Sequence, residues 1–389
     1  MKKVTIIGSG LSGISCAYHL KNKGYDVEIF EMKKYPGGRA NSELVNGYTC
    51  DIGFQVLLNN YSELKRLNIY KDLNLRYFDS GARIFLGDRS LSLYNPIHHP
   101  WKFLSSNFLK IFRLKDYYKI IPWFLLKSNN ESKDKAGEYI EKNISKSAFR
   151  LFFKPFFKGV FLSEKLENNK FFFLKIFKKF SYGRAGLPSH GMKTLPLKII
   201  EKNKIKVHLE HKLSDLSENL AKFENGVSTK YDFLVLALPL NEIKKITKQD
   251  IDIKYNANTT CYITSDIDLI DKSIMLIPND SMSINSIQCL SNISSQYAPD
   301  GKHLYSISSL SLDVSEDQLR DEFKKITNLE ENQFNILKTY RIKRALPAEK
   351  ISLARDKNIF YCGDWATEPS IDGALKSGRE VADKIEVLC

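Results

Sequence analysis

Three glycines near the N-terminus are spaced as G-x-G-x-x-G and could bind a phosphate: Gly8, Gly10 and Gly13. They follow a β-branched apolar run at residues 2–7 and precede a segment, residues 11–23, with apolar side chains at helical spacing. In this context Gly8 permits a tight turn, and Gly10 lets the backbone approach a pyrophosphate. The third glycine, Gly13, allows the helix to pack closely on the strand.

A second strand is predicted over residues 26–31, and it ends in Glu31. A carboxylate at this position can accept hydrogen bonds from ribose hydroxyls and would repel a 2′-phosphate, which disfavours NADP. Leu11 and Ser12 begin the predicted helix, where unpaired N–H groups can face a pyrophosphate. Strand, helix and strand form a βαβ unit, and this context predicts a dinucleotide site rather than a glycine-rich turn without a ligand.

The next segment, Tyr35-Pro-Gly-Gly-Arg39, narrows the choice of cofactor. Gly38 keeps the backbone accessible, and Arg39 can neutralise pyrophosphate charge. With these residues, the stretch from Val4 to Asp51 resembles the FAD-dependent amine oxidase and phytoene desaturase superfamily, which also includes protoporphyrinogen oxidase. The resemblance implies FAD as the cofactor.

Further segments extend the resemblance along the whole chain. In the family, the Asp of a C-terminal Gly-Asp contacts the ribityl or pyrophosphate region, and the following helix directs its N-terminus at the flavin pyrimidine carbonyls. An Asp-x-Gly segment approaches the isoalloxazine, and a residue after a central strand contacts adenine. Carried onto this sequence, these cofactor positions are Gly53, Phe54, Gln55, Val56, Leu213, Gly363, Asp364, Ile371, Asp372 and Ala374.

The sequence says less about catalytic residues, metal ligands and covalent attachment than about cofactor binding. Many amine oxidases of the family hold a water near the flavin N5 position through a lysine, but the sequence assigns no such lysine, and the catalytic residues stay unknown. No Gly-x-Ser-x-Gly occurs. Six scattered cysteines and the lone pair His98-His99 predict no metal site. Cys362 is expected to be a buried thiol, so FAD is expected to be non-covalent.

Apolar runs predict parallel strands at both ends and in the middle of the chain. The alternating pattern of residues 257–311 predicts several antiparallel strands. The expected fold is α/β: a Rossmann-like, GR2-type FAD-binding domain interrupted by an α+β substrate domain with a mixed or antiparallel sheet and helices. The predicted FAD-binding domain comprises residues 1–80, 186–245 and 341–389. The predicted substrate domain comprises residues 81–185 and 246–340.

The charge of the chain is concentrated in one segment. The 389 residues carry a net charge of +14, of which residues 101–184 hold +12. Eleven of the 24 phenylalanines lie within residues 146–184 at helical intervals, and Pro155 is expected to break or kink the helix there. These aromatics could be core side chains beneath a solvated basic surface. They could also meet an anionic membrane, or do both. No nucleic-acid-binding motif occurs, so no nucleic acid is expected as a partner.

The sequence therefore predicts an FAD-dependent oxidoreductase that transfers a hydride from an apolar, isoprenoid- or carotenoid-like substrate to flavin N5, with oxygen or a quinone as electron acceptor. Alternatives are a flavin amine oxidase or protoporphyrinogen-type oxidase, a redox-neutral flavin isomerase, and a non-enzymatic membrane-associated adaptor. The N-terminal apolar run is too short for a signal peptide, and no spanning helix is evident. These features predict a cytoplasmic protein that could lie peripherally on a membrane.

Overall fold

A computed structural model describes residues 1–126, 134–217, 219–252 and 254–388. The strands are β1 (Lys3–Ile7), β2 (Asp26–Phe30), β3 (Ser42–Val45), β4 (Tyr48–Asp51), β5 (Leu57–Leu58), β6 (Leu75–Tyr77), β7 (Gly81–Phe85), β8 (Ser90–Tyr94), β9 (Ala185–Pro188), β10 (Lys206–His208), β11 (Leu213–Ser217), β12 (Leu220–Phe223), β13 (Ser228–Lys230), β14 (Phe233–Leu236), β15 (Tyr255–Ser265), β16 (Ile274–Leu276), β17 (Ile284–Cys289), β18 (His303–Ser309), β19 (Phe334–Pro347) and β20 (Ile359–Tyr361). The α-helices are α1 (Leu11–Asn22), α2 (Ser62–Arg66), α3 (Pro100–Leu104), α4 (Phe108–Ile111), α5 (Leu114–Leu125), α6 (Ala136–Asn143), α7 (Lys146–Ala148), α8 (Lys154–Phe161), α9 (Lys170–Tyr182), α10 (Thr194–Lys202), α11 (Leu240–Thr247), α12 (Leu290–Ile293), α13 (Glu316–Thr327) and α14 (Ile371–Glu386).

Five parallel strands form the first sheet, in the order β10-β2-β1-β14-β20. The chain adds strands first on one side of β1 and then on the other, so the carboxyl ends of β1 and β14 lie at the topological switch point. On one face, α14 packs against α1 where a Cβ atom on Gly378 would lie 2.1 Å from the Ser12 carbonyl oxygen. Only a glycine allows that approach. The sheet confirms the predicted Rossmann-like fold.

The second large sheet has seven strands in the order β19-β15-β18-β17-β16-β7-β8. Its pairs are antiparallel except β16 with β7, so it is the expected mixed sheet. The domain division stays a prediction, but its boundary at residue 341 falls inside β19, which pairs with β15 up to Pro347. The strand continues past residue 341 because β15 pairs with it on both sides of that residue. The sequence shows no turn signal at this position.

Helices α3–α9 enclose an aromatic core beside this sheet. Trp123 is 1% exposed, and its ring meets that of Phe173 edge to face, with centroids 5.3 Å apart. Phe153 and Phe157 are also buried in this cluster. Such pairs contribute about 0.5–1.5 kcal/mol beyond the burial of their area. The core interpretation of the phenylalanine pattern is therefore confirmed for these residues.

The region around Pro155 differs from the expectation. Helical backbone continues from Lys146 to Phe161 instead of breaking into two helices, and Phe149–Phe153 forms a π-helical segment directly before α8. A proline lacks the N–H group that an α-helix would use and clashes with the carbonyl four residues earlier. The wider π-helical turn changes the spacing of those carbonyls and accommodates the ring without a break.

Candidate active site

One cavity of about 1500 Å³ runs from the switch point of the parallel sheet to the aromatic helices α5, α8 and α9. Sixteen of the eighteen residues that the sequence assigns to the cofactor line it. The exceptions are Gly13 and Asp372. Segments far apart in the chain therefore meet at the carboxyl edge of the sheet, where ligands of open α/β sheets bind.

The glycine turn leaves space for a ligand at one position only. A Cβ atom on Gly10 would meet nothing within 4 Å, whereas one on Gly8 would lie 2.5 Å from the Ala237 carbonyl oxygen. Gly8 also has a φ of +101°, which favours glycine. At Gly13 a Cβ would lie 2.1 Å from the Gly8 carbonyl oxygen, so this glycine serves packing and does not line the cavity. The open space above Gly10 fits a pyrophosphate.

Glu31 lies at the end of β2 on the cavity wall and is 6% exposed. Its Oε2 atom accepts hydrogen bonds from the Ser9 N–H (2.8 Å) and Oγ (2.7 Å), and Oε1 accepts one from the Lys33 N–H (3.0 Å). These bonds fix the carboxylate beside the glycine turn. Carboxylate oxygens can each accept more than one hydrogen bond, so the group can still accept from ribose hydroxyls.

Arg39 and Asp364 form an ion pair in the cavity wall, with Nη2 2.7 Å from Oδ1. Nη1 of the arginine also donates to the Ala345 carbonyl oxygen at 2.7 Å. Burial opposes the charge, but the attraction of Asp364 outweighs it and raises the pKa of Arg39. The guanidinium is thereby held in its charged form next to the glycine turn, as a pyrophosphate ligand requires.

The segment after β4 lies between this pair and the seven-stranded sheet. Phe54 donates its N–H to Thr260 Oγ1 at 3.3 Å, and Gln55 Nε2 donates to the Arg39 carbonyl oxygen at 2.9 Å. Gly53 has a φ of +85° and lies against Ile342. Together with Val56 these residues line the cavity where the two sheets meet, as the predicted isoalloxazine segment requires. Leu213 also lines the cavity, beside the glycine end.

The C-terminal helix matches the prediction except at Asp372. Ile371 and Ala374 line the cavity at the N-terminus of α14, where Ser370 Oγ accepts the Gly373 N–H at 2.9 Å. The Asp372 carboxylate instead turns away from the cavity: it accepts the Glu63 N–H at 3.0 Å and pairs with Lys179 at 2.8 Å. Its side chain joins α14 to α2 and α9, so a side-chain role in cofactor binding is not supported.

A family model described as flavin-containing amine oxidoreductase matches residues 11–386. This chain belongs to the flavin-containing amine oxidoreductase family. It is therefore a flavin-dependent oxidoreductase, and the cavity lined by the motif residues is its candidate active site.

Relatives and solved structures extend this result. The chain is 47% identical over 53 residues to a 1-hydroxycarotenoid 3,4-desaturase of Flavobacterium sp. (strain P99-3), covering 14% of this chain and 11% of that protein. It is 33% identical over 94 residues to a zeta-carotene-forming phytoene desaturase of Myxococcus xanthus, covering 23% and 18%. The chain thus spans less than a fifth of the length of these curated relatives. An oxidoreductase from Methanosarcina mazei has the same fold, with a TM-score of 0.78 at 17% identity over 98% of this chain and 100% of that one.

The half of the flavoprotein cavity beyond the sheets is mainly aromatic, with Asp79 at its edge just before β7. Within the described parts of residues 81–185, no lysine, arginine, aspartate or glutamate lines it, although this region contains most of the net charge. Its walls are instead phenylalanines of α8 and α9 and the side chains of Tyr117, Ile120 and Phe124 on α5. The sequence predicted the aromatics but gave no means of separating cavity-lining from core positions, since both recur at the same helical spacing.

Four lysines line the cavity within the described ranges, all beside the parallel sheet: Lys33, Lys212, Lys245 and Lys248. None of the four belongs to the aromatic half of the cavity. Two polar residues in that region were missed by the sequence reasoning, Asn258 and Asn285. Both are buried, and among the described residues neither Asn258 Oδ1 nor Asn285 Nδ2 has a hydrogen-bond partner. Asparagine within a predicted strand was the available signal.

The described cysteines and the one group of potential metal ligands among the described residues lie outside the cavity lining. Cys362 is fully buried and does not line the cavity, and burial raises its pKa to about 12, so it is a thiol, as expected. Asp268, Cys289 and His303 place potential ligand atoms within 4.8 Å of one another, away from the cavity. Burial raises the pKa of Cys289, which disfavours the thiolate that a metal binds. The absence of a metal site stays a prediction.

Proposed function

We propose that the protein binds FAD non-covalently and oxidises an apolar, isoprenoid-like substrate. The observation that carries this proposal is the cavity, which joins the glycine turn to an aromatic half in which residues 81–126 and 134–185 contribute no charged side chain. When bound, FAD would supply a hydride acceptor at its N5 position. The remaining chemistry, which is binding, orientation and exclusion of water, belongs to the residues of this chain.

The residues present fit FAD. The open space above Gly10, the fixed carboxylate of Glu31 and the charged Arg39 would hold the pyrophosphate and ribose, and Gly53–Val56 would face the ring system. The described cysteines lie outside the cavity walls, which supports a non-covalent complex. Heat denaturation followed by centrifugation tests this point. A flavin recovered in the supernatant and identified as FAD by mass is expected, whereas flavin retained on the precipitated chain would contradict it.

An apolar substrate follows from the walls of the aromatic half. A charged amine or a porphyrinogen carboxylate would find no opposite charge there from residues 81–126 or 134–185, and burying it would cost several kcal/mol. The nearby carboxylate of Asp79 lines the cavity just before β7, but it is already paired with Lys102 at 2.9 Å. The similarity to carotenoid desaturases supports an isoprenoid chain as the substrate. The electron acceptor is proposed to be oxygen or a quinone. Reoxidation of the photoreduced protein by air and, anaerobically, by a soluble quinone would separate the two.

A further inference from the structure

Helices α3–α5 expose apolar side chains on the outside of the protein. Trp101 is 81% exposed and Leu125 is 79% exposed. The outward apolar residues, defined here as the docking surface, are Trp101, Leu104, Leu109, Leu114, Tyr118 and Leu125. Scattered exposed leucines are ordinary, but six large apolar side chains within 25 residues mark an interaction surface.

The same helices form a wall of the cavity. None of the docking-surface residues lines the cavity, whereas Tyr117, Ile120 and Phe124 of α5 do. Ile97 and Ile121 are both more than half exposed and cavity-lining, so they lie where the cavity meets the surface. One layer of helix therefore separates the aromatic half of the active site from whatever covers the docking surface.

The charges around this surface identify its partner. Lys110, Lys115 and Lys119 are exposed and form no salt bridge with any residue that the structure describes. The one acidic side chain of α5, Asp116, is fully buried and accepts hydrogen bonds from Ser145. By contrast, lysines of α8 and α9 pair with acids, such as Lys158 with Glu164 and Lys179 with Asp372. Three exposed lysines without a salt-bridge partner among the described residues therefore lie on the same helices as the exposed apolar side chains.

We propose that the docking surface inserts into the headgroup region of an anionic bilayer, so that an apolar substrate passes from the lipid past Ile97 and Ile121 into the cavity. Aromatic and leucine side chains enter the interface while the lysines contact lipid phosphates. Attachment is interfacial: within the described ranges, no helix is both long and apolar enough to cross a bilayer. This surface is smaller than the membrane contact expected for residues 101–184. The phenylalanines of α8 and α9 face inward, and residues 127–133 lie outside the described ranges. The substrate in this proposal rests on the proposed function, but the attachment itself does not.

Vesicle flotation of the purified full-length holoprotein tests this attachment. The probes are vesicles of phosphatidylcholine alone and of phosphatidylcholine mixed with phosphatidylglycerol. Binding to the anionic vesicles is expected. The variant Lys110→Gln/Lys115→Gln/Lys119→Gln should bind about fivefold more weakly for each lysine removed, and Trp101→Ser/Leu109→Ser/Leu125→Ser should lose at least about tenfold.

Matched variants carry the same changes on other exposed positions. Lys65→Gln/Lys230→Gln/Lys325→Gln controls for charge, and Leu44→Ser/Leu197→Ser/Val227→Ser controls for exposed apolar area. Both should bind vesicles like the wild type. Flavin content and anaerobic reduction by a substrate in detergent micelles, measured on every variant, test the proposed function separately.

Three results would overturn the proposal. The wild type could fail to bind anionic vesicles, or the docking-surface variants could bind no more weakly than their controls. Alternatively, sedimentation could show a concentration-dependent dimer that only the Trp101, Leu109 and Leu125 substitutions abolish, without vesicle binding. That last result would assign the surface to a second copy of the chain.

Discussion

Arg39 and Asp364 are 325 residues apart in sequence, yet their side chains form a 2.7 Å ion pair on the cavity wall. One follows the second strand of the parallel sheet, and the other follows its last strand. Parallel strands end at the same edge of the sheet, so the two ends of the chain assemble one binding wall. The charge of Arg39 is held in place before a ligand arrives, which lowers the cost of ordering it on binding.

Removing the guanidinium should weaken cofactor binding, and it should also lower stability because the buried Asp364 carboxylate loses its ion pair. Arg39→Met is expected to lower FAD affinity about 10- to 100-fold, the value of a hydrogen bond to a charged group. The measurement is a fluorescence titration of flavin-free protein with FAD. Arg66→Gln, which removes an exposed arginine of α2, should leave the affinity unchanged. An Arg39→Met protein that binds FAD like the wild type would refute the assigned role.

The glycine turn offers a test that separates ligand binding from folding. Gly10→Ala should fold with near-wild-type stability, because its Cβ would meet no protein atom, but it should lose FAD because the methyl group occupies the phosphate space. Gly13→Ala should instead lower the melting temperature, since its Cβ would lie 2.1 Å from a backbone oxygen. Calorimetry and flavin content measure the two effects. Equal FAD occupancy in Gly10→Ala and the wild type would place the pyrophosphate elsewhere.

Glu28 links three strands of the parallel sheet and makes its stability depend on pH. Burial works against its charged form, but Lys206, Lys3 and His208 outweigh it and lower the pKa of Glu28 to about 2. A depressed carboxyl pKa stabilises the fold above the unfolded value near 4.5, and this contribution is lost as the pH falls towards 2. Glu28→Gln should therefore cost about 1–2 kcal/mol at neutral pH, given its partly exposed partners.

Urea denaturation between pH 7 and pH 2 measures this effect. The stability difference between the wild type and Glu28→Gln should shrink across the window from pH 4.5 to pH 2. Asp26→Asn is the control, because it removes one exposed negative charge from the same strand and leaves the contacts of Glu28 in place. A difference that stays constant with pH would mean that the Glu28 charge does not contribute.

The unpaired amide of Asn285 predicts an uncommon stabilising substitution. Its Nδ2 atom is buried and has no hydrogen-bond partner in the part of the chain that the structure describes, which costs about 1–3 kcal/mol. Asn285→Leu should therefore stabilise the flavin-free protein by about 1 kcal/mol. Asn292→Leu should destabilise it, because Asn292 Nδ2 donates to Asp268 and to the Ile270 carbonyl oxygen. Thermal denaturation compares the two. Equal destabilisation by both would show that the Asn285 amide is satisfied.

Much of the cofactor half could be predicted from the sequence because each feature is local. The order strand, Gly8–Gly13, helix and Glu31 is contiguous, and backbone geometry dictates its residue types. Gly363 and Asp364 were assigned to this site only through the family resemblance. The residues around them do not show that their strand lies in the same sheet as the strands of the glycine motif. The direction of the Asp372 side chain could not be predicted, because a position at a helix N-terminus does not reveal which way its side chain turns.

The substrate half could be predicted only in outline. Helical spacing identifies apolar faces, but it does not distinguish the phenylalanines that line a cavity from those, such as Phe173, that fill the core. Residues 101–184 were predicted as a possible membrane surface, but the exposed positions of α3–α5 could not be identified for the same reason, because Leu109 and Leu125 have the residue type of core positions. Only the tertiary packing of the described residues shows that these side chains are exposed.

Anaerobic mixing of the purified holoprotein with a carotenoid precursor in detergent micelles tests the central claim most directly. The account predicts flavin absorption bands in the purified protein and their bleaching by this polyene, with no bleaching by an alkyl amine or a porphyrinogen. Absent flavin bands, or bleaching by the amine or the porphyrinogen and not by the polyene, would contradict it.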